Sequence, residues 1–357
     1  MIRDEITKHF PEQAGWCHLL GSPFTAGLLE LMGQNYEAGG IVARLLHDYT
    51  GAPRKDALGL RLTGSLHYAA LTGLDAELAA NYPANRPGVR FDAVWGLCEA
   101  FLMQNEAFVR NFIQSAPQTN ETRRSIAFLP AFIAASQQFP GLPLHMVELG
   151  ASAGLNMNWD KFAYQASGWH RAGQSDVNIT TDWRAPPLAS PDYPMHVASK
   201  TACDLNPLNI HDVEALNRIR CYVWPDQAER LSRLNAAIAL AQAEGTQVTQ
   251  ASADEFLDHV LEQWNARIAP GHLIIYHSVF LQYPPRPIIE GILNRIESAG
   301  AQASAERPVS WVSYEPSVMF DKTRPQGEMS TRLQSWPSGE TQILLRSNGH
   351  VTKVEAA

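Results

Sequence analysis

The sequence predicts an α/β protein: a Rossmann-like sheet of seven strands, mostly parallel with a C-terminal antiparallel hairpin, preceded by a helical N-terminal domain. Three observations carry this. Apolar residues recur at helical spacing through the first 115 residues, and no alternating strand occurs before about residue 144. From there, β-rich apolar runs alternate with helical stretches, the pattern of a parallel sheet whose buried strands are continuously apolar. Near the end, Asn348-Gly349 lies between two further runs, a hairpin signal.

In chain order, "SPFTAGLLELMG" spaces Phe24, Leu28, Leu31 and Met32 along one helix face, with Ser22-Pro23 as cap and first turn. "DALGLRLTGSLHYAALTG" and "VWGLCEAFLMQNEAFVRNFIQ" repeat the period. "TNETRRSIAFLPAFIAASQQF" opens on the cap-type residues Thr119 and Asn120 and the acid Glu121, then turns apolar. The helical domain (1–115) meets the sheet domain (116–357) at "SAPQTNE", which lacks the composition of a flexible linker. The helical domain is therefore expected to act as a lid and acceptor wall. The parallel strands expected are "LHMVELG", "HVASKTACD", "TQVTQASAD", "HLIIYHSV" and "PVSWVSYE", with helices over 154–166, 226–244, 254–267 and 286–299. A stretch rich in Pro, Trp and Asp, about 165–196, reads as an insertion between the first two strands.

Composition narrows the function. With a formal net charge of −8 and no basic cluster longer than Arg123-Arg124, the chain lacks the basic face of a nucleic-acid or membrane-surface binder. No run approaches the ~18 apolar residues of a membrane span, and the N-terminus has no hydrophobic leader, so a soluble cytoplasmic protein is expected. The four cysteines form no C-x-x-C pair and read as reduced, mostly buried thiols. The twelve histidines include no H-x-x-x-H, so no dedicated metal site is expected. Nothing in the sequence sets an oligomeric state.

The stretch "HMVELGASAGLNMNWD", residues 145–160, admits two chemistries. As G-x-S-x-G it is a nucleophile elbow, with Ser152 served by Glu315 or Asp321 and by His350. That reading lacks the strands and the oxyanion-hole loop that should precede the elbow. As the loop of a dinucleotide dehydrogenase it would need glycine at positions 152 and 155, which hold Ser152 and Leu155. S-adenosylmethionine (SAM) carries no phosphate, so a looser turn of small residues suffices. Gly150, Ala151, Ser152, Gly154 and Asn156 would line it, and Glu148 would face the cationic methionine part. Asp204, ending the second strand, is placed to accept both ribose hydroxyls, and Asp254, ending the third, to meet the adenine. His277 at the end of the fourth strand is the candidate base for the methyl acceptor, with Glu315, Gln282 and Tyr283 at neighbouring edges. Each acid also has a plainer reading as a helix cap, and His277 as a buried, hydrogen-bonded structural residue.

Several stretches carry a resemblance: "GSPFTAGLLE", "PQTNETRRS", "VELGASAGLN", "CDLNPLN", "YVWPDQAERLSRL" and "HSVFLQY". Over about residues 20–315 the chain resembles a bacterial family catalogued as domain of unknown function 2332, which looks like a Rossmann-type SAM-methyltransferase relative. The resemblance implies the fold and the cofactor but no substrate. It also draws in Thr119 and Asn120, placed to reach the methionine carboxylate, and Asp160 and Asp226 as substrate contacts, the latter beside Trp224 and Gln227. The expectation is a SAM-dependent methyltransferase acting on a small-molecule acceptor. Its alternatives are a serine hydrolase using Ser152 and a non-catalytic SAM-binding module.

Overall fold

The computed structural model describes residues 2–357, which form two compact units. One is the chain up to Thr119 together with His211–Ser232; the other is Asn120–Ile210 with Arg233–Ala357.

The first unit is helical, with α1 (Ile2–Leu19), α2 (Pro23–Glu37), α3 (Ile41–Leu45), α4 (Leu58–Thr72), α5 (Ala76–Asn81), α6 (Phe91–Gln104), α7 (Glu106–Phe112) and α9 (Val213–Cys221). Phe10, Leu28, Leu62, Leu66 and Phe101 bury their side chains in a common core. The expected start of α2 is observed: Ser22 Oγ accepts from the Thr25 amide and Pro23 opens the first turn. A second cap comes from far along the chain, where the Asp226 carboxylate accepts the Phe24 N–H at 2.9 Å. All four cysteines are buried and free, as the sequence implied. Among the described residues no helix is long and apolar enough to cross a membrane.

The second unit is a single mixed sheet with α8 (Ser125–Gln138), α10 (Ala228–Ala243) from Arg233 onward, α11 (Ala253–Ala266) and α12 (Arg286–Ala301). Its strands are β1 (Leu144–Leu149), β2 (Ala163–Ala166), β3 (Trp169–Arg171), β4 (Asn178–Trp183), β5 (Val197–Asp204), β6 (Thr249–Gln250), β7 (His272–Ser278), β8 (Val309–Pro316), β9 (Glu328–Trp336), β10 (Glu340–Asn348) and β11 (Lys353–Ala356). They lie in the order β3-β2-β4-β11-β10-β9-β8-β7-β1-β5-β6. The segment β6-β5-β1-β7-β8 is parallel throughout and contains the five expected strands, the third of them reduced to Thr249–Gln250. The run β8-β9-β10-β11 is antiparallel. The strand order therefore reverses at β1: β5 and β6 are added on one side, then β7 and β8 on the other.

Three expectations are corrected. The sheet has eleven strands rather than seven. The insertion folds into β2, β3 and β4, and β4 joins the sheet by pairing in parallel with β11. β9 carries no strand signature in the sequence, because its large apolar residues Met329, Leu333 and Trp336 fall at a helix-like spacing. Its inward positions are completed by polar Thr331 and Ser335, both buried. Finally, no α-helix follows the glycine-rich loop. Leu155–Lys161 is a 3-10 stretch kinked at Asn158, and β2 begins at Ala163. Asn156 and Asn158 tie this stretch to distant parts of the chain through their side-chain amides.

Candidate functional site

The carboxyl edge of β1 is built around the loop Gly150–Gly154. Gly150, Ser152 and Gly154 all have positive φ, at 68°, 54° and 70°; for Ser152 that conformation is uncommon and carries strain. The neighbouring chain holds it in place. Asp204, ending β5, accepts the Ser152 N–H on Oδ2 at 2.8 Å and the Asn206 N–H on Oδ1 at 2.9 Å. Ala151 N–H donates to Cys203 O at 3.0 Å, and the Leu155 N–H donates to Asn120 Oδ1 at 2.9 Å. Asp204 thus organises the loop, with each oxygen retaining further acceptor capacity.

The glycines accommodate the protein's own side chains. A Cβ on Gly150 would lie 2.3 Å from the Phe280 ring, and one on Gly154 would lie 2.8 Å from Val248 and 2.9 Å from Thr246. Two buried polar atoms beside the loop, Ser152 Oγ and Asn156 Oδ1, have no hydrogen-bond partner. Asn156 donates its other amide atom to Glu121 O at 3.4 Å. Glu121 in turn accepts the Arg123 N–H and forms a buried pair with Arg233 at 3.2 Å.

Glu148 sits immediately before this loop, buried, and its Oε2 accepts from Tyr276 Oη at 3.2 Å. Burial raises its carboxyl to about 8, helped by the nearby Asp204 charge and opposed by the Tyr276 hydrogen bond and Arg124. At neutral pH it is a protonated acid. Tyr276 is itself fixed by the Phe128 and Phe132 rings, each at a centroid distance of 5.3 Å.

At the next strand ends, Glu315 Oε1 accepts three hydrogen bonds: from His277 Nδ1 at 2.7 Å, Phe280 N–H at 2.8 Å and Leu281 N–H at 3.2 Å. The Trp311 indole donates to His277 Nε2 at 3.0 Å. Because an indole only donates, Nε2 is the acceptor and Nδ1 carries the proton toward Glu315. Both ring nitrogens are engaged, and neither side chain is exposed. In this arrangement His277 and Glu315 shape the turn after β7, and His277 holds no lone pair open to an acceptor's proton.

The other sequence candidates are scattered. Asp160 pairs with Lys200. Asp254 lies beyond the strand end, in the first turn of α11, where it accepts from Ser252 Oγ at 2.7 Å. Gln282 and Tyr283 are exposed on the turn after β7. Asp226 caps α2, and Gln227 Nε2 donates to Leu20 O at 3.0 Å. Thr119 and Trp224 line a small cavity of the helical unit, about 30 Å³, with His67, Tyr82 and Tyr222. Sequence reasoning did not single out Tyr276, Trp311 or Arg233. For Tyr276 a signal existed, since a tyrosine in an otherwise apolar run falls opposite Glu148 in the β1–β7 register.

Among curated proteins, none matches the chain. The family described as an uncharacterized protein conserved in bacteria, DUF2332, matches residues 7–355. That match covers nearly the whole fold described above, and the chain belongs to the DUF2332 family.

Proposed function

We propose that this chain binds SAM at the carboxyl edge of β1 and directs methyl transfer to a small molecule. The observation carrying the proposal is the pair of buried, unpartnered atoms Ser152 Oγ and Asn156 Oδ1 on a loop at the point where the strand order reverses. In open α/β sheets, ligands bind outside the carboxyl ends of the strands at that point, and buried polar atoms without partners are costly unless a ligand or water meets them. The donor set fits the cofactor. The free lone pairs of Asp204 suit ribose hydroxyls, and Ser152 and Asn156 suit the polar end of the methionine part.

When bound, SAM supplies an electrophilic methyl group on a sulfonium. The chain's own contribution is to hold and orient, which suffices for in-line displacement. His277 acts in this scheme by positioning the turn after β7, and the acceptor's proton leaves by another route.

A serine hydrolase has one observation in its favour, the strained φ of Ser152. Its hydroxyl, however, makes no hydrogen bond to a histidine or any other group, so the activating base is missing.

Calorimetric titration with SAM tests the proposal. Saturable binding is expected. Ser152→Ala should weaken it by at most about 1.5 kcal/mol, a neutral hydrogen bond's worth, and Ser152→Leu should abolish it by filling the space. A flat titration with SAM and with its demethylated product would remove the basis of the proposal. Stoichiometric labelling of Ser152 by a fluorophosphonate would favour the hydrolase instead.

A further inference from the structure

The protonated Glu148 says something about the charge of whatever the loop holds. Two carboxylates flank Gly150–Gly154. Asp204 has two backbone N–H donors, whereas Glu148 is buried with Tyr276 on its Oε2. The titratable and charged groups reaching Glu148 from the elements packed around it are Tyr276 of β7, Cys203 and Asp204 of β5, and Arg124 before α8. Burial is the main penalty on a charge at Glu148, and Asp204 adds repulsion of a second negative charge. Arg124 offsets this only in part.

Resting on the proposed function, we infer that the ligand of this loop brings a cation against Glu148, and that Glu148 releases its proton to solvent when the ligand binds. The proton passes from the carboxylic acid to bulk buffer, and the remaining carboxylate pairs with the incoming charge. The same chemistry can come from the ammonium or the sulfonium of SAM. A neutral or anionic ligand would leave Glu148 protonated.

The test is titration of the full chain with SAM at pH 7 in two buffers of different ionisation enthalpy, which counts protons. About one proton released per bound SAM is expected. Affinity should rise close to tenfold per pH unit between about pH 6 and 7.5. Glu148→Gln, which keeps the shape and has no acidic proton, should bind with no proton release and no pH slope. Release that persists with S-adenosylhomocysteine assigns the cation to the ammonium, and release confined to SAM assigns it to the sulfonium. Binding of SAM to the parent protein without proton release would overturn this inference and leave the proposed function standing. No binding of either compound would overturn both.

Discussion

Glu148→Gln is expected to be about 4 kcal/mol further ahead of the parent in stability at pH 8 than at pH 5. The carboxyl rests at about 8 in the folded protein against an ordinary 4.5. Between those values the unfolded chain has given up the proton while the folded chain keeps it. Unfolding then releases a proton, so this group's contribution to stability is full below the lower value and is lost as pH rises toward the upper one. The loss is about 1.4 kcal/mol per pH unit. Glutamine does not titrate, and every other group contributes alike in both proteins, so the difference between them isolates Glu148. Urea unfolding of both at pH 5, 6, 7 and 8 measures it. A difference that stays constant across the series would mean that Glu148 is ionised in the folded state.

The second large effect is expected at Glu315. Truncation to alanine leaves the His277 Nδ1–H and the Phe280 and Leu281 amides without their acceptor. Leaving buried donors without an acceptor costs about 1–3 kcal/mol each. Glu315→Gln keeps a carbonyl oxygen in place and should cost no more than about 1–2 kcal/mol, the difference between charge-assisted and neutral hydrogen bonds. The turn they hold carries Phe280 against Gly150 and contains Val279 at a positive φ of 51°, so loosening it should also disturb the loop after β1. Denaturant unfolding of the two variants checks the ranking. A loss below about 1 kcal/mol in Glu315→Ala would mean that solvent replaces the carboxylate.

What could be read in advance follows from how each element advertises itself. β1, β7 and β8 are buried along nearly their whole length and so appear as mainly apolar runs, interrupted by residues such as Glu148, His277 and Ser313. β2, β3 and β4 are short and gain their place only through pairing with β11, some 170 residues later, a partner that no local pattern announces. The place of Glu148 and Asp204 at the carboxyl edge of the sheet was legible because each acid stands at or next to the end of a strand-like run. That Asp204 spends bonds on two backbone amides was not, since it depends on the path of the loop opposite. Asp226 is a related case. It caps a helix that begins about two hundred residues earlier, and an acid beside a tryptophan and a glutamine looks the same in sequence whether it caps or binds. His277 carried no sign of its two partners, because Trp311 and Glu315 come from the neighbouring strand.

The most direct test of the account is amide hydrogen exchange with and without saturating SAM. Ligand seated at the carboxyl edge of β1 should slow exchange in residues 150–156, 204–208 and 278–283 while leaving α2 and α4 unchanged. Binding that protects only the helical unit, or that leaves the loop after β1 exchanging as before, would contradict it.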